Sequence, residues 1–369
     1  MDQQRRAAIL RDRLVVLVAQ AGDDPRTLAG LAGAARRAGL ADDAQRLARR
    51  ALALAPPAGE IWSRANRILS ADIPTWHFMI IKDRLRNEAY DAALGRAVRP
   101  NSRVLDIGSG TGLLAMMAAR AGAGTVVSCE QDPAIAAVAA EIVAANGYRD
   151  RIRIVAKPSG AVDPDSDMGG RADVLVSEIV SNNLLSEGVL PAMEDAVARL
   201  VEPGAAIIPS AGRIRIALAH WARLDRSGLG EVAGFDLSPF NQLRQRPHVL
   251  SVGDSDLALR SAPADIFAFD FASGGPYRDD RACADLVADG EAFNGVVQWI
   301  HLQMDAETIY ENRPSHGLKS CWAALFHPVA CEMRPPAGAT VRVHGSHDRS
   351  NVHLWIDPVD GAAGVPVIG

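Results

Sequence analysis

Glu178 and Glu187 stand nine residues apart around the loop IVSNNLLS, directly after the apolar run ADVLVS. Such a run reads as a buried parallel strand, and ligands of open α/β sheets sit at the carboxyl ends of those strands. Two carboxylates placed there suit a planar cation bearing several N–H donors. A guanidinium fits that description, because each carboxylate can take a bidentate pair of hydrogen bonds. Neutral acceptors fit poorly, since two uncompensated carboxylates in a closed pocket are costly.

A second constellation lies upstream. Val104–Leu114 reads VLDIGSGTGLL, a strand followed by alternate glycines and then a helical run, LLAMMAARAG. The order strand, tight loop, helix opens a nucleotide-like pocket, with glycines where a side chain would hold a ligand off the backbone amides. The spacing is G-x-G-x-G and no Gly-Lys-Ser/Thr follows, so a phosphate cradle is not the first choice. A short strand, Thr125 to Cys129, ends in Glu130, 24 residues after Asp106. An acid at that strand tip is placed to accept both hydroxyls of a ribose. This pairing resembles the S-adenosylmethionine-binding motifs of class I methyltransferases. The resemblance implies that cofactor, held around Asp106, Gly108, Gly110, Gly112 and Glu130.

The resemblance narrows with the remaining motifs. S-E-x(8)-E-G-x-L-P, from Ser177 to Pro191, resembles the double-Glu loop of the protein arginine methyltransferase family. TWHFMIIKDRLRNEAYDAAL carries His77, Asp83, Arg86 and Tyr90 as that family's helix before the first strand does. GFDLSPFNQL, Gly234 to Leu243, resembles a stretch found in its more divergent branches. The likeness covers roughly residues 72 to 356. It implies that Glu178 and Glu187 clamp a guanidinium and that a methyl passes in line from sulfonium to nitrogen. It also implies that Arg86 binds the cofactor's carboxylate, with His77 on the same helix beside the cofactor. Proton loss follows through Glu187 or a His–Asp relay. The family's substrate-covering Thr-His-Trp loop maps best onto Ser315–Ser320, which keeps His316 as a catalytic candidate but replaces Trp with Gly-Leu; Trp299 or Trp322 is left to fill the gap. The acceptor is a peptidyl arginine or free L-arginine, the latter as in relatives that feed streptozotocin-type natural-product pathways. Family members work as homodimers through a helical arm, here expected at about 222–248. A non-catalytic scaffold and a methyltransferase of another cationic small molecule are the alternatives.

The elements that must position these groups fall into three parts. Residues 1–70 alternate Ala, Leu and Arg at helical period, broken at Pro56-Pro57, and resemble a tetratricopeptide-like helical segment. Residues 71–209 alternate strands (VLDIG, VVSCE, IRIVA, ADVLVSE, AAIIPS) with helical stretches, giving a Rossmann-like, doubly wound α/β sheet. Residues 210–369 change to period-2 runs (RIRIALA, DIFAFDF, GVVQWIHLQM, CWAALFHPV, ATVRVHG, NVHLWI), an antiparallel β-barrel or sandwich expected to hold the substrate.

Composition sets outer limits. A 369-residue chain with net charge −5 disfavours general nucleic-acid binding. Cys129, Cys283, Cys321 and Cys331 are scattered without metal spacing, which fits a reducing cytoplasm and no metal. No apolar run reaches membrane-spanning length and the N-terminus lacks a secretory core, so a cytoplasmic protein without membrane partners is expected. His344, His347 and His353 in the last hairpin read as turn polars rather than ligands.

Overall fold

The computed structural model describes residues 3–71, 76–226, 228–243 and 247–357. Four helices open it: α1 (Gln3–Ala21), α2 (Pro25–Arg37), α3 (Ala41–Leu54) and α4 (Glu60–Ser70). Helix α2 starts at Asp24, whose carboxylate accepts from the Arg26 and Thr27 amides ahead of Pro25 at the first turn. Its Leu28, Ala29, Ala32 and Ala35 pack on Ala44, Leu47, Ala48 and Ala51 of α3, with Ala65 and Ile68 of α4 closing a small core of their own. Alanine at these positions brings the helix axes close, with Leu28 and Leu47 fully buried between them.

Helices α5 (Trp76–Ile81) and α6 (Arg84–Ala97) lead into the sheet. Strands β1 (Arg103–Ile107), β2 (Thr125–Cys129), β3 (Ile152–Val155), β4 (Ala172–Ser177) and β5 (Val201–Ile208) are all parallel, in the order β3-β2-β1-β4-β5. Helices α7 (Leu113–Arg120), α8 (Pro133–Ala145) and α9 (Val189–Arg199) make the crossovers. The chain builds outward from β1 through β2 and β3, then returns to the other side of β1 as β4. The switch point therefore lies between β1 and β4, where Ile107 pairs with Ser177. A crevice opens outside the carboxyl ends of the strands at such a point.

The remainder is antiparallel. Strands β6 (Ala211–Trp221), β9 (His248–Leu250), β10 (Leu257–Leu259), β11 (Ala264–Asp270), β13 (Phe293–Gln303), β14 (Ile309–Glu311) and β15 (Ala324–Met333) form one curled sheet around β6 and β13. Strands β12 (Asp280–Val287), β16 (Thr340–His347) and β17 (Val352–Ile356) form a second. The sheets meet where Gly345 lacks a side chain: a Cβ there would lie 2.8 Å from Ile266 and 3.0 Å from Phe267. Between β6 and β9, helix α10 (Arg223–Arg226) and the short hairpin β7 (Glu231–Val232) and β8 (Phe235–Asp236) stand off the sheet.

One apolar core runs through both halves, joining Leu175, Leu184 and Leu190 to Phe271, Leu302 and Trp322. The antiparallel part is thus welded to the parallel sheet beside the double-Glu loop. Strand β12 has no strong apolar run to announce it, because it is an edge strand whose inward positions are the small Ala282 and Ala284 and only one large residue, Leu286. Strand β15 begins at Ala324, so Cys321–Ala323, read as strand from the sequence, is irregular chain instead.

Candidate active site at the head of the parallel sheet

The glycine turn after β1 is shaped for close approach. Gly108 has φ 85°, and a Cβ there would press 2.6 Å from the Ile179 side chain, so the turn can tuck under the β4 loop only without one. A Cβ on Gly110 would meet nothing within 4 Å; it faces open cleft. The cleft measures about 1630 Å³ and is lined by Gly108, Ser109, Gly110, Glu130, Arg86, Glu178 and Glu187, among others.

Glu130 is fixed by two amides, Gly110 N–H at 3.0 Å and Asp132 N–H at 3.0 Å. The acid therefore ties the glycine turn to the start of α8 while facing the cleft. Asp106 lies beneath, fully buried; Ser128 Oγ donates to one of its oxygens at 2.7 Å and the other has no partner. Burial pushes its carboxyl up to about 7 against the Ser128 bond.

Glu178 leaves β4 beside this turn. Its carboxylate takes a 2.7 Å ion pair from Arg86 Nη2, the two side chains 8% and 5% exposed. Arg86 is set by its helix: Asp83 caps α6 through the Arg86 amide, and the guanidinium lies over the Tyr90 ring at 5.0 Å. Tyr90 Oη donates to the Ser177 carbonyl at 2.9 Å, holding the backbone just before Glu178. Desolvation raises the Glu178 carboxyl to about 7 despite the opposing Arg86 charge. Glu187 stands before Gly188, the cap of α9, and is more solvated. The cleft walls and the Glu178 charge raise its carboxyl too, and water damps that shift.

The antiparallel half closes the other side. Asp83, buried, accepts from Tyr310 Oη at 2.9 Å and from the Cys321 amide at 2.9 Å. Trp322 Nε1 donates to the Val180 carbonyl at 3.0 Å, and the Ala323 amide donates to Asn182 Oδ1 at 2.8 Å. The double-Glu loop is thus pinned from outside by Ser320–Ala323. It is also bent from within: Leu184 is fully buried at φ 73°, a left-handed conformation that its core packing enforces.

The structure brings Arg86, Gly108, Gly110, Glu130, Glu178 and Glu187 to one cleft. Gly112 does not line it; at φ 77° it turns the chain into α7, with Val143 3.0 Å from where its Cβ would be. His316 is not brought to the clamp. It is exposed on a turn whose neighbour Ser315 donates to the Val252 carbonyl, and it does not line the cleft. A few residues on, Cys321 and Trp322 bond Asp83 and the Val180 carbonyl, so this stretch braces the double-Glu loop. Trp299 is buried elsewhere, donating to Glu311 at 2.7 Å. Arg86, expected at the cofactor's carboxylate, is ion-paired with Glu178. The side chain of His77 lies outside the described residues. His347 packs edge-on against Phe267 and Phe269, and no group of three or more His, Cys, Asp or Glu among the described residues could hold a metal.

Arg86 Nε, Glu178 Oε1 and Ser109 Oγ are buried at the cleft without partners. A cation, an anion and a hydroxyl left unsatisfied in one crevice call for a polar ligand of mixed charge. Ribose hydroxyls for Glu130, a carboxylate for Arg86 and an open face at Gly110 fit S-adenosylmethionine.

Residues 91–214 match the family model for ribosomal protein L11 methyltransferase (PrmA). An arginine N(omega)-methyltransferase from Streptomyces achromogenes subsp. streptozoticus is 37% identical over 303 residues, covering 77% of this chain and 83% of the relative. The chain belongs to the arginine N-methyltransferase family. It is therefore an S-adenosylmethionine-dependent methyltransferase. Protein arginine N-methyltransferase 7 from Drosophila grimshawi is also 37% identical, over 75% of this chain, but the match spans only 40% of that longer protein. The fold agrees with the Trypanosoma brucei PRMT1 enzyme-prozyme complex with AdoHcy, at a TM-score of 0.70 and 21% identity over 80% of this chain and 97% of that one.

Proposed function

We propose that this arginine methyltransferase acts on a guanidino Nω of free L-arginine, releasing Nω-methylarginine. The observation that carries the guanidinium is the pair Glu178 and Glu187 facing one cleft with the glycine turn and Glu130. Free arginine is favoured because likeness to the Streptomyces enzyme runs along most of both chains. The curated protein arginine methyltransferase 7 relative aligns through less than half its length.

Gly108, Gly110 and Glu130 would hold the adenosine and Arg86 the carboxylate, with Asp106 supporting the turn from below. Bound there, S-adenosylmethionine supplies an electrophilic methyl on its sulfonium. Glu178 and Glu187 orient the guanidinium and hold positive charge on two of its nitrogens, leaving the third to face the methyl. Glu187, the more solvated acid, takes the proton that the product loses and passes it to water. Residues 1–70, 71–209 and 210–369 serve as helical segment, cofactor half and acceptor half.

The enzyme works as a homodimer in the cytoplasm. Exposed Phe235, Phe240 and Leu243, at 70%, 63% and 69%, support the 222–248 segment as the dimer arm. Free thiols at all four cysteines fit a reducing compartment, and no helix among the described residues is long and apolar enough to cross a membrane. The test is mass spectrometry of reactions with S-adenosylmethionine and either free L-arginine or an arginine-rich peptide. One methyl gained by free arginine and lost in Glu178→Gln supports the proposal; methylation confined to the peptide overturns the acceptor.

A further inference from the structure

The cleft has a wall that the parallel sheet does not supply. Opposite Ile135, Val138 and Ile142 of α8 stand Leu52 and Ala53 of α3 and Leu69 of α4. Val138 is 42% exposed and lines the same cleft. These aliphatic side chains, with Arg49, Asn66, Ser70 and Glu141 beside them, line the same cleft as Glu130. The helical segment reaches this place by a polar latch: Arg49 donates to the Ala134 carbonyl and pairs with Glu141 at 3.5 Å. Both latch partners lie on α8, the helix that begins just after Glu130.

We infer that the N-terminal helical segment is part of the cofactor site: α3 and α4 cover the adenine of S-adenosylmethionine, sandwiching it against α8. A flat base next to a ribose held at Glu130 has its faces directed at these aliphatic side chains. Its burial supplies affinity that the glycine turn and Glu130 do not. The inference rests on Glu130 as the ribose acid.

Calorimetric titration of the full-length chain with S-adenosylhomocysteine tests it. Ala53 is exposed, outside the small helical core, and lines the gap, so Ala53→Trp obstructs the base without emptying any packed site. Arg49→Glu breaks both arms of the latch. Affinity is expected to fall about tenfold in each variant, with partial recovery in Arg49→Glu/Glu141→Arg, and unchanged melting of the parallel half. Hydrogen exchange at residues 49–53 and 66–70 should slow when the ligand is added to the parent chain. Affinities within twofold of the parent in both variants, with no slowing, overturn the inference. Glu130→Ala separates the two levels. If it too leaves affinity intact, the reading of the cofactor site fails; if it abolishes binding while the other variants bind normally, only the role of the helical segment fails.

Discussion

Glu178 and Glu187 are chemically alike and physically different. Glu178 is sealed against Arg86, while Glu187 keeps contact with water. Glu178→Gln and Glu187→Gln should each lower kcat by roughly 10²–10⁴-fold, the range typical for loss of one preorganised charge or proton acceptor. S-adenosylhomocysteine affinity should change little in Glu187→Gln, as calorimetry would show. In the proposed role the two acids must be ionised, and burial raises Glu178 to about 7. The kcat/KM of the parent should therefore fall as pH drops through about 7, which a pH–rate profile between 5.5 and 9 reads. Asp106 adds a stability counterpart. Its carboxyl titrates higher folded than unfolded, so the folded state holds its proton more tightly. Stability is then full below the unfolded value and declines as pH rises toward about 7. Asp106→Asn should flatten that slope in thermal melts across pH while weakening cofactor binding.

At the scale of elements, the clamp is a product of its supports. The chain from Ser320 to Ala323 holds the double-Glu loop by two hydrogen bonds, from Trp322 Nε1 and the Ala323 amide. Trp322→Phe keeps an aromatic ring but removes the Nε1–H donor and part of the buried indole, costing about 1 kcal/mol for the bond and more for the packing. Steady-state kinetics should show the acceptor KM rising several-fold with cofactor affinity unchanged. The parallel strands and the glycine turn were legible in the sequence, because buried strands carry unbroken apolar runs and each glycine marks a bend. The acids were legible because two carboxylates at a strand end have few structural reasons to exist. Trp322 was legible only as one of two candidates for the missing Trp, and nothing in Ser320–Ala323 announced the bonds to Asp83 and the loop that give this stretch its place. His316 drew attention by type and lay outside the cleft, since nothing local dictates which way an exposed turn faces. The inner wall made by α3 and α4 was equally hidden, because a helical period reports which face is buried and not what lies across from it.

The two halves share one core, the antiparallel half adds a second cluster around Trp299 and Phe326, and the small helical core is set apart. An apolar patch at Leu229, Val232, Phe235, Leu237, Phe240 and Leu243 stands away from all of them. In the proposed homodimer these side chains would supply the contact surface. The parent should sediment as a dimer, and Phe235→Asp/Phe240→Asp as a monomer that still melts cooperatively.

The Arg86–Glu178 ion pair carries a consequence for order of arrival. While Arg86 neutralises Glu178, an incoming guanidinium meets half a clamp. A carboxylate that draws Arg86 away, as the cofactor's would, leaves Glu178 free to receive the acceptor. Each ligand then raises the affinity for the other, as linkage requires. Without cofactor the protein would not be an arginine-binding protein at all, and calorimetry with arginine alone should record no heat until S-adenosylhomocysteine is added.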